Sequence, residues 1–350
     1  MSRRSILVAA AGGVLAASLA FGQEECGTLI SPRELPELRA LERSGIYSKP
    51  VNAGDGPVFI GLTFHVVRTS AGTGGLEQAR LDQAVLDANL AYAASGIQFC
   101  QAGPTRYINS DTYYDITGTE YNPLRQIDVV PGTINCYFVR SAPFCGISSF
   151  TTSSIQGIVY NNDCVALPTN RSTFPHEIGH YFNLYHTHET AFGTECTNGS
   201  NCAAAGDLVC DTPADPNVLG NISAACLWTG SATPPCGGAP PYNPPVRNYM
   251  SYSNKDCRDH FTAQQNSRAL TTLLTLRTEL SRNLCGSAAC YANCDGSTTA
   301  PTLNVNDFTC FLNRYASGES YANCDASTTA PVLNVNDFVC FQQRFAAGCP

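Results

Sequence analysis

Positive charge is scarce in this chain. Lys and Arg number 20 against 28 Asp and Glu, a formal net charge of −8, and charged residues of every kind make up only 14%. No basic run offsets that balance, which argues against nucleic acid or an anionic membrane surface as a partner. Methionine is scarcer still: Met1 and Met250 are the only two in 350 residues. A core that used methionine to fill gaps would not place one alone so late, so Met250 needs a specific reason. Beyond residue 22 no apolar run approaches the ~20 residues that span a bilayer. Residues 1–22 are the exception: Arg3 and Arg4, an apolar stretch from Ile6 to Phe21, and the small residues Ala20 and Gly22 form the pattern of a cleavable export signal.

Cysteine, by contrast, is plentiful. Eighteen cysteines behind an export signal predict a disulfide-rich, secreted protein, whose connectivity spacing alone leaves open. Histidine is rare but crowded. Of six, four fall between His176 and His188. His176 and His180 are four apart, so on a helix they share one face and can share one Zn²⁺ at about 2.0–2.1 Å. Glu177 lies on the adjoining face, within reach of a water at the metal without being a ligand. His186 can join only if the helix stops first, since a continuing helix would carry it out of reach, to another face. Asn183 is where that stop is expected, because Asn tolerates the left-handed conformation that ends helices. A fourth position is then left for water. His188 and His65 are assigned structural places away from the metal.

Four segments are expected along the chain. Residues 1–22 are the export signal and 23–56 a polar pro-segment with a short helix near Leu35–Leu41. Residues 57–285 form the main domain. It has strands at Val58–Val67, Ile134–Val139 and Gly157–Tyr160, an amphipathic helix near Leu76–Ala94, and a final helix near Ala263–Leu284. Residues 286–350 repeat with a period of 30: the run from Tyr291 to Phe308 recurs from Tyr321 to Phe338.

The histidine run resembles the metzincin metalloproteases, whose motif is HExxHxxGxxH followed by a Met-turn; Asn183 stands where that motif has glycine. Asn248-Tyr249-Met250-Ser251-Tyr252 resembles the Met-turn. With Val58–Val67, Gly157–Tyr160 and the loop from Gly206 to Pro213, the likeness is to the pappalysin family over residues 57–285. It implies an α+β fold, with a twisted mixed sheet and the zinc helix in an N-terminal subdomain and a loop-rich, disulfide-stapled C-terminal subdomain. It further implies a zinc metalloendopeptidase acting on protein or peptide substrates. His176, His180 and His186 would be the ligands, Glu177 the general base and Tyr252 the oxyanion partner, with Met250 beneath the histidines.

The same resemblance carries subsidiary expectations. Cys26-Gly27-Thr28 matches a pro-segment motif whose cysteine closes the zinc's open position, the alternative being an ordinary disulfide. Gly146–Phe150 lies where the family has an exposed edge strand that pairs with peptide, or is a plain loop strand. Asp207, Asp211 and Thr212 offer hard oxygens for Ca²⁺, or form a solvated loop. Asp256, beyond the Met-turn, is the candidate for selecting a basic side chain just after the cut. The repeats resemble small helical dockerin-like or EF-hand-like units, with Asp295, Asp307, Asp325 and Asp337 on calcium-ligand positions. They form either an interaction module for a protein or cell-surface partner or a structural cap, in which Cys294/Cys310 and Cys324/Cys340 can staple each unit. The rival to an enzyme is a catalytically idle, zinc- or calcium-stabilised binding or adhesion protein.

Overall fold

The computed structural model describes residues 25–49, 51, 57–237, 240–280, 285, 291–295, 297, 301–325, 327 and 330–348. The expected export signal lies outside them. In chain order the main elements are α1 (Leu35–Arg43), β1 (Val58–Arg68), α2 (Gln78–Tyr92), β2 (Ile97–Gln101), β3 (Arg106–Asn109), α3 (Asp111–Tyr114), α4 (Tyr121–Leu124), β4 (Ile134–Val139), β5 (Gly146–Ile147), β6 (Ile158–Asn161), α5 (Thr173–Tyr181), α6 (Ala263–Thr275), α7 (Val305–Ala316) and α8 (Val335–Ala347).

The six strands of the described residues form one mixed sheet, five of them in the order β2-β1-β4-β6-β5 and β3 paired to β1 off that path. β1 is long enough to pair in parallel with β2 along its first half and β3 along its second. β4 and β6 continue the parallel set, and β5 closes the edge antiparallel to β6. β1, β4 and β6 are buried nearly throughout, as strands covered on both faces must be. One face carries α2 and α5. Phe174 of α5 stacks on Tyr160 at 4.9 Å, and the hydroxyls of Tyr160 and Tyr92 donate to the carbonyls of Phe174 and Pro175. These bonds anchor the start of α5 against the sheet.

Three sequence expectations shift here. α2 is shorter than Leu76–Ala94 at both ends, and the edge strand is two residues rather than five. α6 stops at Thr275 instead of running to Leu284. The chain turns there to bury Arg277, whose guanidinium donates to the carbonyls of Tyr181 and Ser149 and to the side chain of Gln156. A continuing helix would forfeit those bonds.

From His186 to Thr262 the described chain has no helix or strand element. Cys196–Cys236, Cys202–Cys210 and Cys226–Cys257 hold it, while Cys100–Cys285 and Cys145–Cys164 tie the remainder. In the repeats, Cys294–Cys310 and Cys324–Cys340 form as expected. Phe311 of α7 stacks on Phe341 of α8 at 4.2 Å, and Leu86 of α2 joins that small core.

Candidate metal centre and active site

α5 ends where the sequence requires. Asn183 adopts φ +58°, Asn183 N donates to His180 O, and Leu184 N reaches back to Gly179 O. Glycine would permit the same turn, but the asparagine amide adds contacts. Its oxygen accepts from Thr151 N at 2.9 Å and its nitrogen donates to Thr151 Oγ1 and to Tyr47 Oη. The reversal returns His186 to the two helix histidines.

The imidazoles are held from behind. His176 Nδ1 donates to Tyr249 O at 2.7 Å and His180 Nδ1 to Leu184 O at 2.8 Å, so both Nε2 atoms present lone pairs. His180 Nε2 lies 3.2 Å from His176 Nε2 and 3.0 Å from His186 Nε2. Lone pairs at that separation repel unless a proton or a cation lies between them. Burial disfavours a second proton on any of these rings: it holds His180 down to about 3, and burial together with the neighbouring imidazoles holds His176 and His186 well below the ordinary histidine value. Cys26 Sγ completes the cluster, 3.5 Å from His180 Nε2, with all four donor atoms within 4.8 Å of one another. Adjacent corners of a tetrahedral site, with bonds of about 2.0–2.1 Å to nitrogen and about 2.3 Å to sulfur, lie roughly 3.3–3.6 Å apart. The donor set fits a divalent cation.

Glu177 is fully buried beside the cluster. Its Oε2 accepts from Thr28 Oγ1 at 3.1 Å and its Oε1 has no partner. Burial pushes its carboxyl up to about 7. Gly146 of β5 has to be glycine, because a Cβ there would meet Glu177 Cγ at 2.5 Å. On the other side Met250 is fully buried, its sulfur 2.6 Å from where a Cβ on Gly179 would sit. A side chain at Gly179 would therefore lift α5 off the segment that carries Met250. Tyr252 packs its ring on His186 and His188, and its hydroxyl donates to the Cys26 carbonyl at 3.3 Å. His188 stacks on His186 and stands outside the four-donor cluster. His65 bonds Asn135 and stacks on Tyr137.

The segment around Cys26 lies across this cleft. Gly27 N donates to the backbone carbonyl of Gly146 at 2.8 Å and Ser148 N donates to the side chain of Thr28 at Oγ1, so the chain's own segment lies along the edge strand. Farther on, Glu42 bonds Arg268, Tyr47 bonds Thr272, and Glu34 bonds Ser153. Cys26 forms no disulfide. Among the described residues Cys136 is a second buried free thiol.

Other expected residues fall apart or find new company. Asp207 is buried and accepts from Thr212 Oγ1, but Asp211 is elsewhere, bonding Thr262 Oγ1 and Gln264 N at the start of α6. The partner that the sequence did not reveal is Glu195. It is buried with Oε2 unpartnered, is pushed up to about 7 by desolvation, and acts electrostatically on Asp207. Nothing in its local sequence marks it. Asp256 is exposed, since the turn closed by Cys257 N to Asn254 O turns Lys255 and Arg258 toward the cleft instead. In the repeats Asp307 spends both oxygens on backbone N–H groups of Asn304 and Asp295, and Asp337 does likewise with Asn334 and Asp325; Asp295 and Asp325 accept from Ser297 N and Ser327 N.

A buried three-histidine cluster at the foot of a short helix, with a carboxylate alongside and an edge strand above, defines a metalloendopeptidase. Residues 128–274 match the family described as pregnancy-associated plasma protein-A. An extracellular metalloprotease of Colletotrichum graminicola is 32% identical over 77% of this chain and 95% of its own, and one of Pyricularia oryzae is 29% identical over 76% and 94%. A promirolysin mutant from Tannerella forsythia shares the fold, with a TM-score of 0.52 at 15% identity over 73% of this chain and 97% of its own. The chain belongs to this family of extracellular metalloproteases. No helix among the described residues is long and apolar enough to cross a membrane.

Proposed function

We propose that the protein is a secreted zinc endopeptidase whose ion is held by His176, His180 and His186. The observation that carries this reading is the convergence on one point of the Nε2 atoms of His176 and His180, whose Nδ1 protons are spent on backbone carbonyls, with His186 Nε2 and Cys26 Sγ. A zinc ion in that cluster supplies Lewis acidity, bringing the pKa of water toward about 7 and polarising a carbonyl. Oε1 of Glu177, unpartnered and buried, is the atom that takes the proton from the attacking water and passes it to the leaving nitrogen. Tyr252 already donates to one peptide carbonyl, that of Cys26, which supports its assignment as donor to the carbonyl oxygen of a substrate as charge develops there. Met250 and Gly179 keep the histidines in place from below.

Casein hydrolysis by protein freed of its pro-segment should vanish with a zinc-selective chelator and return on adding about one zinc per chain. Unchanged activity after chelation, or a purified sample carrying no transition metal, would leave the idle binding protein as the better reading.

Cys26 is proposed to hold the full chain latent by taking the fourth position. For calcium, we propose Glu195, Asp207 and Thr212, the first because a buried carboxylate oxygen without a partner calls for a cation. A calcium-selective chelator should lower the melting temperature by several degrees, and Glu195→Gln should abolish that difference; equal melting with and without calcium would remove the site. The repeats are read as a disulfide-held accessory module, since Asp307 and Asp337 are already engaged in capping their helices.

A further inference from the structure

Immediately before the cysteine that meets the histidine cluster stands Glu25, and its carboxylate has chosen two partners. Glu25 Oε2 lies 2.7 Å from Lys255 Nζ and 2.9 Å from an Nη2 of Arg258. Both cations come from the stretch just beyond the Met-turn. Arg258 is 1% exposed and is fixed by donating Nε to the carbonyl of Ser253 at 2.9 Å. Lys255 reaches across to Thr173 Oγ1 at the first turn of α5, and Ser172 Oγ donates back to the Lys255 carbonyl. The two cations thus form a wall between Tyr252 and the start of the zinc helix, and a side chain one residue from the metal-facing position fills it.

When residues 25–49 leave, that wall loses the anion that neutralises it. Two cations side by side repel each other, and Arg258 is held in place by the Ser253 carbonyl. What restores the balance is another carboxylate arriving in the same place. The residue that precedes Cys26 in the latent chain stands in for a substrate residue next to the scissile bond.

We propose that Lys255 and Arg258 form a specificity pocket that makes this peptidase select an acidic side chain, Glu or Asp, adjacent to the bond it cuts. This deepens the proposed peptidase reading and rests on it. Asp256, the only acidic group of that stretch before Arg258, is exposed and takes no part. The pocket discriminates by both routes open to it. A carboxylate makes charge-assisted bonds to a fixed guanidinium and an ammonium, whereas a neutral or basic side chain leaves the two cations without an anion to pair with.

The test uses enzyme activated from the full chain by limited proteolysis. Paired peptides differing only by Glu or Gln at each position flanking the bond are compared within one enzyme preparation, so a general loss of activity cancels. The Glu peptide should be cut about tenfold faster or more at one of the two positions. In Lys255→Met the ratio should fall several-fold, and in Lys255→Glu, where the wall is internally neutralised, it should approach one. A wild-type ratio near one, or a ratio that neither variant moves, overturns the proposal while leaving the peptidase reading intact. A second readout needs no turnover: a peptide of residues 25–31 is titrated onto the activated enzyme beside its Glu25→Gln form. About tenfold weaker binding of the Gln peptide is expected, and equal binding overturns the proposal even if no peptide is cleaved. Binding that depends on Glu25 without any hydrolysis would instead count against the catalytic assignment of Glu177.

Discussion

Glu177→Gln should lower kcat by about 10²–10⁴ while the protein keeps about one zinc per chain and an unchanged melting temperature. The substitution keeps the volume and the hydrogen bond from Thr28 but removes the site that accepts a proton. Glu177 suits that work because it is buried beside the histidines, and in the covered site desolvation pushes its carboxyl up to about 7. Its Oε1 accepts no hydrogen bond within the 3.5 Å of an ordinary one. The metal readout is essential, since a variant that lost both zinc and activity would report a damaged site. Retained peptidase activity in a zinc-loaded Glu177→Gln protein would refute the role.

The second large effect concerns latency. Wild-type full-length protein should be nearly inactive, and cutting away the segment before residue 57 should raise activity by at least about tenfold. Cys26→Ala in the uncut chain should recover part of that gain. It removes the fourth donor 3.5 Å from His180 but leaves the anchors of Glu25, Thr28 and Glu42 in place. The recovery should be larger on short peptides than on casein, because the segment still covers the edge strand. A thiol in this place also depends on what lies beside it: burial, with Glu177 next to it, pushes the Cys26 thiol far up, and only a metal cation would draw the thiolate form. Equal activity of cut and uncut wild-type protein would discard the latency reading.

Legibility varied with the distance over which each feature is decided. β4 was placed to the residue, since an apolar run that is buried on both faces announces itself without context. The α6 boundary was missed because its stop depends on Arg277 finding the carbonyl of Tyr181, almost a hundred residues away. Strands β2 and β3 went unread for a similar reason: short and partly exposed, they are strands because β1 extends far enough to pair with both. Asp211 looked like a ligand beside Asp207 and instead caps a helix fifty residues on.

By itself the sequence determined the metal site's framework: two histidines one helical turn apart, a residue able to stop that helix, and a third histidine after the stop. Each rests on local backbone geometry, which spacing and residue type control. The tertiary structure alone decided that Cys26 meets that site from 154 positions away, that Glu195 joins Asp207, and that Lys255 and Arg258 rather than Asp256 turn to the cleft. Those choices follow from which distant surfaces bury one another and which charges must then be matched, and no local pattern carries that information.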